Sequence, residues 1–309
     1  MGKIIRIGTR ESQLALWQAT QVKDLLAHHG FESELVFIKS EGDIDLVTPL
    51  YEIGVQGIFT RSLDAALLND RIDVAVHSLK DVPTQLPNGI VQVAVLRRGP
   101  VNDLLVFKNK ATQERHVAGD PQFAVATSSI RRKAQWLNRF PSSTIYNLRG
   151  NVNTRLRKLQ DENWDAAIFA QAGLERIGLR PTASIVLNWM LPAPAQGAIV
   201  VVCRQEDTFS KDASRRLNDP DTELCTKIER DFLRRLLGGC STPISALAER
   251  NNERIFFRGN ILSLDGSQKV EIERTISVQD ANDFGKLVAE ELLNLGGEEI
   301  AEHIRHATK

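Results

Sequence analysis

The spacing of hydrophobic residues divides the chain into two parts. Through the first two thirds, short apolar runs of strand length alternate with longer stretches whose apolar residues recur at helical spacing. The first such pair is a strand at residues 4–8 and a helix at residues 12–29. This alternation predicts an α/β protein with parallel, doubly wound sheets and helices on both faces.

The same pattern continues to about residue 203. Further strands are predicted at residues 34–38, 72–77, 90–96, 104–107, 123–126, 144–147, 166–170 and 199–203, and helices at 61–69, 130–139 and 153–159. The glycine-containing segment 40–57 lacks periodicity and is typical of a lid loop. A hinge is expected near residue 100, and the strand at 199–203 is expected to return to the first sheet.

The last ninety or so residues follow a different order. A helix at 222–237 precedes alternating strands at 244–249, 255–262 and 270–276, and helices follow at 281–295 and 298–306. This order predicts a small α+β domain with an antiparallel sheet. The resulting three domains comprise residues 1–98 with 197–217, residues 99–196, and residues 218–309.

Charge and cysteine content narrow the class of protein. The 309 residues contain 39 Lys and Arg and 39 Asp and Glu, so the net charge is zero, unlike that of most nucleic-acid-binding domains. No secretory signal and no membrane-spanning run of roughly 18 apolar residues occurs, so a cytoplasmic protein without membrane contact is expected. Cys203, Cys225 and Cys240 show no paired or zinc-ligand spacing, which predicts free thiols and no metal.

Positive charge is concentrated in one segment, residues 128–158, which contains no Asp or Glu. Its cations are Arg131, Arg132, Lys133, Arg139, Arg149, Arg155, Arg157 and Lys158. Thr127, Ser128 and Ser129 follow a predicted strand and open a helix, where free backbone N–H groups bind anions. The segment therefore predicts a site for carboxylates or phosphates, the alternative being a solvated basic helix face.

Two further segments carry reactive groups. Asp81 follows Lys80 at the end of an apolar strand, where open α/β sheets place reactive side chains, so it could stabilise a developing cation; it could equally cap a helix before the proline turn. His77 is expected to be a packed strand residue. Cys240 follows two glycines after a helix and could carry a covalent group, although a free cysteine is often only a small buried hydrophobic residue. That second interpretation suits Cys203 and Cys225 better.

Together these segments resemble the porphobilinogen deaminase family over essentially the whole chain. The matching blocks are IGTRES at 7–12 with LALWQA at 14–19, DVAVHSLKDVP at 73–83, TSSIRR at 127–132, LRGNVNTRL at 148–156, AGLER at 172–176 and GGC at 238–240. Six ordered blocks are far more specific than any one of them.

The resemblance implies a fold, a cofactor and a reaction. The first two domains would be similar to the halves of a periplasmic binding protein, with the active site in the cleft between them. The third domain would hold a dipyrromethane cofactor in thioether linkage to Cys240. Four porphobilinogen molecules would be joined head to tail with loss of ammonia, and water would release hydroxymethylbilane.

The resemblance also implies roles for individual residues. Asp81 matches the catalytic aspartate, no metal is required, and a monomer is expected. The cofactor would be held by Lys80, Ser128, Ser129, Arg131, Arg132, Asp43 and Thr127. Incoming porphobilinogen and the growing pyrrole chain would be bound by Arg10, Ser12, Arg149, Arg155, Arg176 and Arg204. Every pyrrole ring carries an acetate and a propionate, which accounts for the acid-poor basic segment.

The sequence departs from the family pattern at a few positions. Gln56 and Arg61 stand where the lid loop usually has lysines, Ala195 replaces a glycine, and Val202 replaces a glutamate. Two other functions compete with the resemblance. One is a non-catalytic anion-binding protein of the periplasmic-binding-protein fold, which would leave Asp81 and Cys240 without a task. The other is a nucleic-acid binder using the basic segment, which has few interleaved aromatic residues.

Overall fold

The computed structural model describes residues 3–39, 60–236 and 242–307. These residues form two compact units. The first unit contains the described residues up to 99 together with 197–224, and the second contains 100–196 and the described residues from 225 onward. The three predicted domain ranges stay a prediction.

A five-stranded sheet forms the centre of the first unit. Its strands are β1 (Ile5–Thr9), β2 (Ser33–Phe37), β3 (Val74–Ser78), β4 (Ile90–Val95) and β10 (Ile199–Arg204), in the order β2-β1-β3-β10-β4. The predicted return of segment 199–203 to this sheet is confirmed. The prediction of an all-parallel sheet is wrong, because β10 runs antiparallel to both β3 and β4.

Amphipathic helices cover this first sheet. They are α1 (Gln13–His28), α2 (Arg61–Leu68) and α7 (Thr208–Arg215), the last of which was not predicted. Val22 and Leu26 of α1 pack against Ile5 and Ile7 of β1 in a core from which solvent is excluded. Burial of these apolar side chains is the main force that fixes α1 on the sheet.

The second unit contains another five-stranded sheet. Its strands are β5 (Asp103–Phe107), β6 (Ala124–Ala126), β7 (Thr144–Tyr146), β8 (Ala166–Ala170) and β9 (Ser184–Val186), in the order β7-β6-β8-β5-β9. Its helices are α3 (Lys110–Val117), α4 (Ile130–Arg139), α5 (Val152–Asp161) and α6 (Gln171–Glu175). Here too one strand, β5, runs antiparallel to its neighbours, so this sheet is also mixed.

The second unit also contains the predicted antiparallel sheet, formed by β11 (Ile244–Asn251), β12 (Arg254–Leu262) and β13 (Lys269–Ser277). Helix α8 (Pro220–Leu236) belongs to this unit from residue 225 onward, and the helices α9 (Phe284–Leu292) and α10 (Glu298–Ala307) complete this part. Short turns of other helix types lie at Val278–Asp280 and Leu293–Gly297. The predicted helix at 281–295 begins later, because Asp283 adopts a left-handed backbone conformation at φ 58°. The predicted fold class, two α/β sheet domains and a small α+β domain, is confirmed.

Helix α4 is fixed to the C-terminal sheet by polar contacts. Gln135 donates from Nε2 to the carbonyl of Leu191 at 2.9 Å and to the Ser245 hydroxyl at 3.0 Å. The Asn138 side-chain amide donates to the carbonyl of Gly266, in the β12–β13 turn, at 2.8 Å. Both contacts join elements of the second unit.

Cys203 and Cys225 are buried free thiols, as predicted. None of the described helices is both long enough and apolar enough to cross a membrane.

Candidate active site

In the first unit, three of the predicted site residues lie just after the ends of parallel strands. Strands β1 and β3 are parallel neighbours, so Arg10 after β1 and Lys80 and Asp81 after β3 lie at the same edge of the sheet. Ser12 caps α1 by accepting the Ala15 N–H at 3.3 Å.

The segment after β3 forms one turn of 3-10 helix, Leu79–Asp81. The Leu79 side chain is buried, and its N–H donates to the carbonyl of Ala198 at 3.0 Å, while Lys80 and Asp81 are half-buried. Asp81 is the last residue of this short turn, and no α-helix begins directly after it. The structure therefore does not show Asp81 as a helix cap. The buried Leu79 thus holds the turn while its two charged neighbours remain partly accessible.

His77 is a packed residue of β3, as predicted. Its ring is 6% exposed, and its Nε2 has no hydrogen-bond partner among the described residues. Burial lowers the pKa of His77 to about 4, and the positive charge of Arg10 acts in the same direction. The imidazole is therefore neutral at pH 7.

In the second unit, hydroxyl groups converge where β6 and β7 end. The Ser128 hydroxyl donates to the Asn147 side-chain oxygen and accepts the Leu148 N–H at 2.8 Å. Ser129 caps α4 by accepting the Arg132 N–H, and its own N–H donates to the Thr127 hydroxyl at 3.2 Å. The predicted segment at 127–129 therefore forms the start of α4 at the same edge as the end of β7.

The second arginine segment lies at this edge too. Arg149 is buried, Gly150 has a left-handed backbone at φ 109°, and Asn151 caps α5. Arg155, one turn into α5, donates from Nε to the carbonyl of Gly150 at 2.7 Å. Arg176 follows α6, and burial lowers its pKa to about 10, so it remains charged at neutral pH.

Asp103, the first residue of β5, was not among the predicted site residues. Its side chain is fully buried and its Oδ2 accepts from Arg131 Nη2 at 2.7 Å, while Oδ1 accepts from Arg132 Nη2 at 2.8 Å. Because β5 is antiparallel to β8, Asp103 pairs with Ala170 and lies at the edge where β8 ends. The sequence pattern placed it in the hinge before an apolar strand, where a lone Asp has no partner that local spacing could reveal.

Burial divides the cations of the basic segment. Arg131 and Arg132 are 4% and 6% exposed, and burial lowers the pKa of Arg131 despite the opposing charge of Asp103. Lys133, Arg139 and Arg157 are exposed on the helices. The solvated-face alternative therefore describes these three, whereas the anion-site prediction concerns the buried ones.

Arg204 has a different environment from the one its predicted role requires. It lies where β3 and β4 begin, at the opposite end of β3 from Asp81. Its Nη1 donates to the carbonyls of Leu67 and Ile72 at 2.9 and 2.6 Å, and its Nη2 pairs with Asp73 at 3.1 Å. The side chain of Arg204 is engaged in holding the fold, and its substrate-binding role stays a prediction.

Several predicted features lie outside the described residues, namely Cys240, Asp43, Gln56 and the lid loop 40–57. Within residues 3–39, 60–236 and 242–307, no cluster of three or more His, Cys, Asp or Glu side chains could hold a metal ion.

Solved structures similar to the chain include a periplasmic domain and two binding proteins of amino-acid transporters. The BvgS VFT2 domain of Bordetella pertussis is 11% identical over 69% of this chain and 86% of that chain, with a TM-score of 0.40. The amino-acid transporter substrate-binding protein AbpA of Streptococcus pneumoniae, solved with L-arginine, is 14% identical over 70% of this chain and 87% of that chain, with a TM-score of 0.38. The probable amino-acid transporter extracellular-binding protein ytmK of Bacillus subtilis is 14% identical over 70% of this chain and 91% of that chain, with a TM-score of 0.41.

Family comparison covers most of the sequence. Residues 5–212 match the dipyrromethane cofactor-binding domain of porphobilinogen deaminase, and residues 223–294 match the C-terminal domain of the same enzyme. The chain therefore belongs to the porphobilinogen deaminase family, the hydroxymethylbilane synthases, which are transferases of haem biosynthesis that use a dipyrromethane cofactor to polymerise porphobilinogen into hydroxymethylbilane.

Proposed function

We propose that Asp81 is the catalytic carboxylate of this reaction and that Cys240 carries the dipyrromethane. The observation that supports the site most strongly is the convergence of hydroxyl and guanidinium donors at the ends of β6 and β7. Ser128, Ser129 and Arg149 belong to this group.

The described donors fit a dipyrromethane. Its pyrrole rings carry carboxylates, and guanidinium, hydroxyl and backbone N–H groups at a helix start are the donors that suit carboxylates. Nε of the buried Arg131 has no hydrogen-bond partner among the described residues, which is consistent with a place for an anionic ligand. The group would be held by Thr127, Ser128, Ser129, Arg131 and Arg132, and Lys80 and Asp43 are further proposed contacts.

When bound, the dipyrromethane supplies the primer to which substrate pyrroles are joined. Asp81 stabilises the positive charge that develops on the porphobilinogen pyrrole as ammonia leaves, and it exchanges a proton with the departing amine. Its half-buried position favours this role, because a carboxylate partly removed from water interacts more strongly with a developing charge.

Substrate carboxylates would be bound by arginines. We assign this role to Arg10, with Ser12, and to Arg149, Arg155 and Arg176. Arg176 remains cationic at neutral pH even though burial lowers its pKa to about 10.

We further propose a cytoplasmic monomer that binds no nucleic acid and contacts no membrane. The basic segment 128–158 has three exposed cations, Lys133, Arg139 and Arg157, and the net charge of the chain is zero. The three-domain division at 1–98 with 197–217, 99–196 and 218–309 is likewise a proposal, supported by the first unit, in which residues up to 99 join 197–224.

Intact-protein mass spectrometry tests the attachment site. After incubation with porphobilinogen, wild type should gain the mass of two condensed pyrrole units and then of further units, and Cys240→Ser should gain none. Cys225→Ser is the matched control, because Cys225 is a buried thiol of α8 and should leave loading intact. A loaded Cys240→Ser protein would contradict the assignment.

The same measurement tests Asp81. Asp81→Ala should fold and load its cofactor but fail to add further pyrrole units. Elongation by Asp81→Ala at the wild-type rate would remove Asp81 from the mechanism.

A further inference from the structure

We propose that Asp103 is a positioning residue that fixes the guanidinium groups of Arg131 and Arg132 for the carboxylates of the dipyrromethane. The inference rests on the proposed function of these two arginines. It adds a residue that contacts neither the cofactor nor the substrate in the proposed mechanism but determines which N–H groups the arginines present.

The carboxylate of Asp103 is divided between the two arginines. Its Oδ2 accepts from Arg131 Nη2 at 2.7 Å, and its Oδ1 accepts from Arg132 Nη2 at 2.8 Å and from Arg132 Nε at 3.2 Å. The Gln196 amide donates to the same Oδ1 at 2.9 Å. One side chain thus sets the orientation of two neighbouring guanidinium groups.

Main-chain carbonyls complete the arrangement. Arg131 Nη1 donates to the carbonyl of Leu191 at 2.8 Å, and Arg132 Nη1 donates to the carbonyl of Ile168 at 3.0 Å. Each guanidinium has five N–H donors, so these bonds fix both planes and leave further donors on each group. A bidentate contact to a carboxylate requires a guanidinium fixed in this way.

The charges of the cluster point to an anionic ligand. Two buried guanidinium groups share one buried carboxylate, so these three side chains together carry a positive charge. Burying a charge without a partner is costly, and one arginine would suffice if Asp103 served only the fold. The second cation is accounted for if a carboxylate of the cofactor completes the cluster. Asp103 reduces the repulsion between the adjacent arginines until that carboxylate binds.

A second Asp–Arg pair of the same sheet provides a comparison. Asp165 directly precedes β8, at the opposite edge from Asp103, and accepts from Arg115 and from the Ala124 N–H. Arg115 is half-exposed and its side chain also binds Asp120. This pair serves the fold without facing the proposed site, so Asp165→Asn is a matched control for Asp103→Asn.

The test measures cofactor loading as a function of porphobilinogen concentration. Apo-protein of wild type, Asp103→Asn and Asp165→Asn is incubated with porphobilinogen, the loading rate is followed by intact-protein mass spectrometry, and thermal unfolding is recorded for each. Asp103→Asn should raise the half-saturating porphobilinogen concentration at least about tenfold, the effect expected when one charge-assisted hydrogen bond is misplaced. Asp165→Asn should keep the wild-type half-saturating concentration, even if its melting temperature falls by as much as that of Asp103→Asn.

Two further variants separate the possible failures. Loading of Arg131→Lys and Arg132→Lys at the wild-type half-saturating concentration would overturn the proposed function of the arginines and the inference with it. If the arginine variants load poorly but Asp103→Asn keeps the wild-type half-saturating concentration, only the positioning role of Asp103 is overturned. Should Asp103→Asn fail to fold, Asp103→Glu, which keeps the charge but moves the carboxylate by one methylene, decides: unchanged half-saturation overturns the proposal, and a raised value supports it.

Discussion

The N–H of Ala195 donates a 2.6 Å hydrogen bond to the buried carboxylate of Glu229. The other oxygen of this carboxylate accepts the N–H of Ala248 at 2.7 Å, so Glu229 joins the segment before β10 to strand β11. Ala195 adopts a left-handed backbone conformation at φ 62°, which residues other than glycine rarely adopt. The hydrogen bond to Glu229 holds it in that conformation.

Replacing Ala195 by glycine should cost less stability than replacing Ala198 by glycine. Both side chains are buried, so each change removes a buried methyl group and adds freedom to the unfolded chain, at a cost of about 1 kcal/mol. Only Ala195 has a left-handed backbone, where glycine relieves about 1–2 kcal/mol of strain, so we expect the two losses to differ by about that amount. Urea unfolding of both variants measures the difference. Equal losses in both variants would contradict the strain at Ala195.

Gly266 in the β12–β13 turn should not tolerate a side chain. A Cβ there would lie 2.4 Å from the carbonyl oxygen of Ala134 and 2.7 Å from the N of Asn138, both backbone atoms of α4. Gly178 also has a left-handed backbone, but a Cβ there would meet nothing within 4 Å. Gly266→Ala should therefore cost about 1–3 kcal/mol more than Gly178→Ala in urea unfolding. Equal costs would mean that the turn does not pack on α4.

His77 should make stability fall with acidity. Its folded pKa, about 4, lies below the ordinary value of 6.5, so between these pH values the unfolded chain binds a proton that the folded chain does not. Stability therefore rises with pH through this window, by up to about 1.4 kcal/mol per pH unit. His77→Gln should reduce the slope of the unfolding free energy against pH between about pH 4.5 and 6.5. Replacing the exposed His303 should leave that slope unchanged. An unchanged slope in His77→Gln would show that the ring is not buried neutral.

Arg204 and Arg10 should affect different properties. Arg204→Gln removes a partner of Asp73, whose side chain is 1% exposed, and should lower the unfolding free energy by about 1–3 kcal/mol while leaving the KM for porphobilinogen unchanged. Arg10→Gln should raise that KM with less effect on stability. Urea unfolding and steady-state kinetics measure the two effects, and a raised KM in Arg204→Gln would contradict this expectation and support a substrate-binding role for Arg204.

The spacing of hydrophobic residues predicts a helix well where a capping residue stands at the start of the helical period. The bounds of α4 were predicted as 130–139, and Ser129 caps it as expected from its position. Helix α3 was missed although Asn109 and Thr112 form a reciprocal cap at its start, because its residues are too polar to show an apolar period. Strand β9, of three residues, is too short to carry a pattern.

The site residues were predictable in proportion to how local their partners are. Ser128 and Ser129 lie between a strand and a helix, so their place at the start of α4 could be predicted from the spacing of hydrophobic residues. The contacts of Arg204 depend on Asp73, which is 131 positions away in the sequence. Asp103 meets Arg131 and Arg132 only because β5 runs antiparallel, a direction that the alternation of elements did not reveal.

Helix α4 makes the chemistry of the arginines sensitive to a distant surface. The helix that begins at Ser129 and carries Arg131 and Arg132 also binds Ser245 through Gln135 and Gly266 through Asn138. The arginines proposed to bind carboxylates thus lie near its N-terminus, and its later residues contact the C-terminal sheet. A natural substitution in the β12–β13 turn can therefore register as a defect in cofactor binding, and sequence variation there should be interpreted together with variation in the arginines.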